Sequence, residues 1–396
     1  MFSNLFNNPA LTFGLDIGYD SLKVVQLKKT AGGICLKGFN SIPLPFNSFT
    51  KDGITNPEQI TRALKQAMDE AEPQSIKSKY AITSLQESIV FSKIVNFPKV
   101  KQSDLENSIR YEIGEIFPVP VEELYYDWQL INEHAQGNMK APDITKQPDV
   151  EKQEEKEKDK KSENNKDQKE PNPTNEEEME PQLEILVAGT PKNIVDQYQK
   201  ILNECGITIS ALETKSISSA RATLDPFEKK GILIVDIGAE STNLSIFDEG
   251  IIRFTGTVKC GGNVTTRALS GLATLPEDSK EKHTLIQNID TNLNNEFAKK
   301  KDLIIKSLLP ITQEINQAIK FYQNRVGKVD KLNRITITGG GANIPHIADI
   351  IEEHTGFTCG IANPFTNIKQ PKDQSLTAFS PYTVAIGCAL RSFMEN

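Results

Sequence analysis

The chain has 396 residues and a formal net charge of −8, from 45 Lys plus Arg and 53 Asp plus Glu. That balance disfavours a nucleic-acid-binding protein or a strongly basic membrane-surface protein, and the length suffices for two or more domains. The five cysteines are scattered without a CxxC pair, which disfavours a zinc site or disulfide framework and favours a reducing compartment. No apolar run approaches the roughly 18 residues of a membrane span, and the start, MFSNLFNNP, lacks a signal peptide's basic region. We therefore expect a soluble, cytoplasmic protein.

The first half of the chain has the patterns of an α/β domain. Runs rich in β-branched and aromatic residues predict strands at 12–16, 21–27, 33–42 and 80–83. Apolar residues at helical spacing predict helices at 57–71, 104–116 and 194–204. Two more strand patterns, at 124–131 and 183–188, flank a charged segment.

The charged segment, residues 139–181, has no aromatic residue and few aliphatic ones. It cannot bury enough apolar surface to offset the conformational entropy lost on ordering. We therefore predict a disordered insertion between two strands of one subdomain, because long loops add little closure entropy. A tether or partner-binding role is the alternative that its composition leaves open.

The second half repeats the alternation of strands and helices. It predicts strands at 232–236, 243–248, 251–258 and 334–338, and helices at 264–272, 308–324, 344–354 and 381–394. The polar stretch 276–300 is expected to be partly mobile.

One short motif occurs near the start of both halves. The first copy, GLDIGYDSLKVVQL, contains Asp16 and Gly18, and the second, IVDIGAESTNLSIF, contains Asp236 and Gly238. Glycine lets a turn approach a phosphate closely, and a carboxylate at a strand end can hold hydrated Mg²⁺. A single Asp-x-Gly is also common in ordinary turns, so the duplication is the informative feature.

A third turn follows in ITITGGGANIP, residues 335–345, which predicts a strand, a triple-glycine turn and a helix beginning near Pro345. Three glycines let the backbone lie flat against a ligand, and a helix N-terminus favours negative charge. For this segment alone a flexible strand–helix loop is the alternative. The three turns in this order predict a clamp for a magnesium nucleoside triphosphate between two domains.

The order and strand context of these turns resemble the phosphate and adenosine motifs of the actin, Hsp70 and sugar-kinase ATPase superfamily. The resemblance implies an α/β, actin-like ATPase fold of two RNase H-like domains that binds ATP and Mg²⁺. It implies that Asp16 and Asp236 hold Mg²⁺ through water. The other nucleotide-contacting residues that it implies are Gly18, Lys23, Gly238, Glu240, Glu314, Gly339, Gly340 and Gly341.

The same resemblance gives Glu213, in LETKSISSAR, a catalytic role, because members carry there the Glu or Gln that orients the attacking water. An ordinary carboxylate at a helix start is the alternative for Glu213, and a solvated helix position is the alternative for Glu314. Tyr19 and Asp20 depart from the superfamily pattern, in which small residues are usual in the first turn. Whether ATP is hydrolysed stays open.

Within the superfamily, longer stretches resemble the PilM family of type IV pilus assembly proteins. They are residues 14–27, 97–131, 235–247, 260–269, 337–347 and 381–393. FtsA, a cell-division relative, shares the architecture with an inserted subdomain called 1C. The resemblance implies a first domain of subdomains 1A and 1C and a second domain of subdomains 2A and 2B. Subdomain 1A covers 11–84, a helix returns through it at 211–230, and a C-terminal helix at 381–396 packs on it, whereas 1C covers 85–210 including the insertion. Subdomain 2A covers 231–263 and 333–380, and 2B covers 264–332.

The resemblance implies a nucleotide-binding scaffold at the inner face of the cytoplasmic membrane, held there through partners. The implied partner is the N-terminal peptide of a PilN-like inner-membrane protein, docked between 1A and 1C against residues 91–130. Other pilus components and self-association are further implied contacts, and ATP is expected to control closure of the two domains.

Two other functions remain open from the sequence. One is an FtsA-like, filament-forming membrane adaptor, although the last residues, RSFMEN, lack the amphipathic helix usual in FtsA. The other is a small-molecule kinase of the same superfamily, for which no second-substrate motif is evident.

Overall fold

The computed structural model describes residues 12–45, 48–50, 53–98, 102–134, 182–276, 279–326, 332–371 and 375–394. The predicted disordered insertion at 139–181 lies outside these residues. The described residues form two five-stranded sheets, one three-stranded sheet and a two-stranded hairpin of β4 (Phe49–Thr50) and β5 (Gly53–Ile54).

The first sheet combines an antiparallel meander with two parallel strands. Its spatial order is β10 (Thr208–Thr214), β6 (Tyr80–Leu85), β1 (Thr12–Ile17), β2 (Ser21–Thr30) and β3 (Gly33–Pro43). β1 pairs antiparallel with β2 and parallel with β6, which is parallel to β10. β1 is fully buried, as its near-continuous apolar sequence predicts for a central strand.

The second sheet has the same construction. Its order is β13 (Ile251–Val258), β12 (Thr242–Asp248), β11 (Gly231–Ile237), β14 (Leu332–Thr338) and β15 (Cys359–Ile361). β11, β12 and β13 form the meander, whereas β14 and β15 are parallel to β11. The repeated sequence motif therefore lies on equivalent central hairpins of two equivalent sheets.

A small subdomain is inserted between β6 and β10. It contains β7 (Phe91–Pro98), β9 (Gln182–Pro191) and β8 (Leu124–His134), in that spatial order, and the helix α2 (Gln102–Ile116). Ile109 and Ile113 of α2 are fully buried against Ile185 and Val187 of β9. One face of the sheet is therefore covered by its own helix.

Four helices cover the first sheet. α1 (Pro57–Asp69) and α3 (Lys192–Glu204) bury Leu64 and Tyr198 in its core. α4 (Lys215–Thr223) and α9 (Thr383–Met394) pack together through Gly387, because a Cβ there would collide with the carbonyl oxygen of Ser218. A short helix, α8 (Leu376–Phe379), precedes α9.

The second sheet is covered by α5 (Gly262–Ser270), α6 (Ser279–Val326) and α7 (Ile347–Thr355). Most of the polar stretch 276–300 is helical, because α6 begins at Ser279 and continues through Pro310. Proline usually disrupts a helix interior. Here Leu308 and Ile311, on both sides of Pro310, are buried against the sheet and keep the helix continuous. Among the described helices, none is long and apolar enough to span a membrane.

Two of the expected subdomain boundaries differ from the packing. α3 and β10 belong to the first sheet and its core, so the inserted subdomain ends near Pro191 and does not extend to residue 210. The second half of α6 lies in the core of the second sheet, so 264–332 is not a separate packing unit. Sequence alone could not assign these helices, because their apolar faces suit either sheet.

Candidate functional site

A cleft of about 570 Å³ lies between the two five-stranded sheets. Both Asp-x-Gly hairpins and the triple-glycine turn line it. Of the predicted site residues, the cleft brings together Asp16, Gly18, Lys23, Asp236, Gly238, Gly339, Gly340 and Gly341. The sequence therefore located the walls of this cleft from both halves of the chain.

The two hairpins have the same turn geometry. The backbone N–H of Gly18 donates to the Ser21 carbonyl oxygen at 2.9 Å, and the N–H of Gly238 donates to that of Ser241 at 2.9 Å. A Cβ on either glycine would lie 2.9 Å from the same oxygen, so both turns require glycine. The Tyr19 ring packs edge-on against Phe49, with 6.0 Å between ring centroids.

The strand register places matching side chains in both halves. Asp16 lies opposite Lys23 on β2, and Asp236 lies opposite Asn243 on β12. All four residues line the cleft. The two hairpins therefore differ in the residue opposite the aspartate, which is the cationic Lys23 in the first and the neutral amide Asn243 in the second.

The triple-glycine turn leaves an open strip of backbone. Gly339 has a φ of 81° and leads into a short 3-10 turn at Gly340–Asn343. The helix α7 begins at Ile347, two to three residues later than predicted. A Cβ added to Gly340 would meet no atom within 4 Å. Thr338 donates from Oγ1 to Oγ1 of Thr383 at 2.6 Å, which ties this turn to the start of α9.

Lys215, which no sequence motif predicts as a site residue, is buried in the cleft. Its Nζ lies 2.9 Å from Oδ1 of Asp16, and both side chains are more than nine-tenths buried. The Ser84 hydroxyl also donates to Asp16 Oδ1, at 3.2 Å. Lys215 is the first residue of α4, directly after β10, so neither strand nor helix periodicity predicts its direction.

These buried charges influence one another strongly. Burial opposes ionisation of Asp16, but the Lys215 and Lys23 ammonium groups hold its pKa below the ordinary value. Burial similarly opposes the charge on Lys215, and the carboxylates of Asp16 and Asp236 nevertheless raise its pKa. Burial lowers the pKa of Lys23 and raises that of Asp236. The most firmly ionised pair is therefore Asp16 with Lys215.

This arrangement does not fit the magnesium site predicted at Asp16. A hydrated Mg²⁺ beside this carboxylate would lie next to the ammonium of Lys215. Two like unit charges roughly 4 Å apart repel by about 4 kcal/mol at an effective dielectric constant of about 20, and a divalent ion doubles that. The residues in place fit an internal ion pair and not a metal at Asp16.

Glu213 lies outside the cleft, contrary to its predicted position near the attacking water. Its carboxylate accepts hydrogen bonds from Arg221 at 2.6 Å, from Ser218 at 2.7 Å and from Arg391 at 2.9 Å. Arg391 lies 178 residues away in sequence, which is why a local motif could not predict this network. Glu213 therefore joins α4 to α9.

The two other predicted carboxylates also lie outside the cleft lining. Glu240 accepts a hydrogen bond from the side-chain amide of Asn263, and Asn263 itself lines the cleft. Glu314 is half-buried on α6. Glu240 is therefore placed to position Asn263, whereas Glu314 is not among the described residues that line the cleft.

A second cavity, of about 600 Å³, lies where the inserted subdomain meets the two sheets, and we call it the groove. Tyr125, Tyr126 and Leu186 line it from the inserted subdomain, and Glu213 and Thr255 from the two sheets. Arg253 of β13 pairs with Glu184 of β9 at 2.9 Å, and both side chains are largely buried. The groove therefore has walls from three parts of the fold, tied together by a buried ion pair.

Two like sheets, each with an Asp-x-Gly hairpin facing a shared cleft, define an actin-like ATPase fold of two RNase H-like domains with an inserted 1C subdomain. The family model for the type IV pilus assembly protein PilM matches residues 14–145 and 168–393. The chain belongs to this PilM family.

One solved structure and several curated relatives are similar to this chain. The PilM–PilN type IV pilus biogenesis complex has a TM-score of 0.71, with 20% identity over 97% of this chain and 99% of that chain. The cell division protein FtsA of Bacillus subtilis is 22% identical, over 92% of this chain and 82% of its own. FtsA of Borreliella burgdorferi is 27% identical over 42% of this chain, and the match spans only 45% of that relative's length.

We predict that Glu213→Gln destabilises the protein by about 3 kcal/mol or more, because Arg221 and Arg391 lose their buried counter-charge. Urea unfolding monitored by circular dichroism measures this loss. Glu240→Gln, which removes the charge of a carboxylate with an amide partner, is the control and should cost much less. Equal stability of Glu213→Gln and wild type would contradict the structural role.

Glu87 generates a pH prediction, because burial raises its pKa from 4.5 to about 7. Between pH 4.5 and about pH 7 the Glu87 carboxyl loses its proton in the unfolded chain but keeps it in the folded protein. The free energy of unfolding therefore falls as pH rises, by about 3 kcal/mol over the whole range. Glu87→Gln should remove this fall, so its stability relative to wild type should increase from about pH 5 to about pH 8. Glu58→Gln, at an exposed position of α1, is the control, and a pH-independent difference for Glu87→Gln would contradict the prediction.

Proposed function

We propose that this protein is a nucleotide-binding scaffold of type IV pilus assembly. A nucleoside triphosphate binds in the cleft, and a peptide of a PilN-like inner-membrane protein binds in the groove. Membership of the PilM family supports the assignment to pilus assembly. The observation that most supports nucleotide binding is the convergence of two glycine hairpins and the triple-glycine turn on one cleft.

The cleft suits a nucleotide in size and chemistry. Its volume of about 570 Å³ lies in the range of small-molecule sites. Lys23 donates to the Ser21 hydroxyl at 2.7 Å, which holds its ammonium at the first hairpin, where a phosphate is expected. The open space around the Cα of Gly340 leaves room for the adenine ring.

Nucleotide binding is expected to favour a closed arrangement of the two domains. The first hairpin belongs to one sheet and the second hairpin and triple-glycine turn to the other. A ligand that contacts both sheets binds the closed arrangement more tightly and so raises its population.

The groove is the proposed site for the partner peptide. The similar solved structure is a complex of PilM with PilN. The groove here includes Ser92, Tyr125, Tyr126 and Gln129, which fall within the stretch 91–130 expected from sequence to contact the peptide. Aromatic side chains with polar neighbours suit an extended peptide. This partner would bring the protein to the inner face of the membrane.

The pilus function is favoured over the two alternatives. The PilM family model covers both domains, whereas several matches to FtsA cover less than half of either chain. For a small-molecule kinase, no second-substrate motif is evident in the sequence. Glu213, the carboxylate expected to orient an attacking water, is engaged by two arginines.

We predict that Gly340→Gln abolishes nucleotide binding without unfolding the protein. The new side chain enters open space in the cleft, where it takes the place of the adenine ring. Isothermal titration calorimetry with ATP measures the binding.

Gly360→Gln is the matched control, because Gly360 is exposed on β15 and a side chain there also meets no atom within 4 Å. It should bind ATP as wild type does. Wild-type protein that binds no ATP, or Gly340→Gln that binds normally, would contradict the proposed site.

For the partner peptide we predict that Tyr126→Ala weakens binding by roughly tenfold, as for an aromatic residue central to an interface. The probe is a synthetic peptide of the N-terminal residues of the PilN-like protein from the same organism, followed by fluorescence anisotropy. Tyr111→Ala is the control, because Tyr111 is an exposed tyrosine of α2 that does not line the groove. Equal affinities of the two variants would contradict docking in the groove.

A further inference from the structure

We propose that Lys215 acts as a built-in cation in the cleft, so that the protein binds a free nucleoside triphosphate and does not require a magnesium complex. This proposal rests on the proposed nucleotide binding and makes it more specific. It assigns the charge-neutralising role of the divalent ion to a side chain of the chain itself.

The ammonium of Lys215 is fixed beside the first hairpin. It lies 2.9 Å from Oδ1 of Asp16, and the side chains are exposed by only 9% and 6%. Thr214 caps α4 by accepting the N–H of Ile217 at 3.3 Å, which sets the direction of the helix start. Two residues before Lys215, the carboxylate of Glu213 is held by Arg221 and Arg391. The backbone at Lys215 is therefore held by the Thr214 cap and by the ion pairs of Glu213.

The surroundings also disfavour displacement of Lys215 by a metal ion. A divalent cation at Asp16 would have to separate a buried ion pair and leave an ammonium without its closest counter-charge. Asp236 is the other carboxylate near Lys215, and it too would be next to the incoming metal. If the Lys215 ammonium shifted from Asp16 to Asp236, it would still share one buried site with the metal ion.

The same cations suit free phosphates. Lys23 and Lys215 both line the cleft, at the hairpin where the phosphates are expected. An ammonium group donates three hydrogen bonds and accepts none, so Lys215 can bind a phosphate oxygen while it stays paired with Asp16. It cannot accept a hydrogen bond from an attacking water. The cleft therefore has the features of a nucleotide sensor more than those of an efficient ATPase.

The test is calorimetric titration of the wild-type protein with ATP, once with excess EDTA and once with excess MgCl₂. The proposal expects dissociation constants that agree within about threefold. Binding only with MgCl₂ would overturn this inference while it supports nucleotide binding in the cleft. No binding in either buffer would overturn the proposed nucleotide function itself.

A variant pair tests Lys215 directly. In Lys215→Met combined with Asp16→Asn, both charges are removed together, so neither member of this ion pair is left without the other. This double variant should bind ATP in EDTA roughly tenfold or more weakly than wild type, because a charged hydrogen bond to phosphate is lost. Lys259→Met, at an exposed position outside the cleft lining, should bind as wild type does. Unchanged affinity of the double variant in EDTA would contradict the role of Lys215.

Discussion

The buried ion pair between Asp16 and Lys215 is the interaction on which the cleft depends. Each charge alone would be costly to bury, and each is retained because the other lies 2.9 Å away. The pair joins the end of β1 to the start of α4, and so fixes the first hairpin against the segment that follows β10. The second sheet has an amide, Asn243, opposite its own aspartate, so the duplicated halves carry different charges across one cleft.

One short segment faces both proposed sites. Glu213, at the end of β10, lines the groove, and Lys215, two residues later, lines the cleft. Arg391 pairs with Glu213 from α9, and Thr383 at the start of α9 accepts a hydrogen bond from Thr338 of the second sheet. A nucleotide in the cleft and a peptide in the groove would therefore contact the same anchored segment. This gives a physical route by which binding at one site can influence the other.

The parts of the fold that the sequence predicted are those set by local patterns. Both hairpins and the triple-glycine turn were located from glycines that the backbone geometry requires, such as Gly18 and Gly339. The direction of Lys215 was not predictable, because it lies where strand periodicity gives way to helix periodicity. Glu213 was assigned a role near the attacking water from the family resemblance, and its bond to Arg391 was not predictable because the two residues are distant in sequence. The length of α6 was missed because its first part, within 276–300, is polar, and only the apolar residues of 308–324 predicted a helix.

A crystal structure with ATP and Mn²⁺, with anomalous data collected at the manganese edge, tests the central claim most directly. The account predicts phosphates bound at the two hairpins, the Lys215 ammonium still paired with Asp16 and no manganese peak beside that carboxylate. A manganese ion bridging Asp16 and a phosphate, with Lys215 displaced, would contradict it.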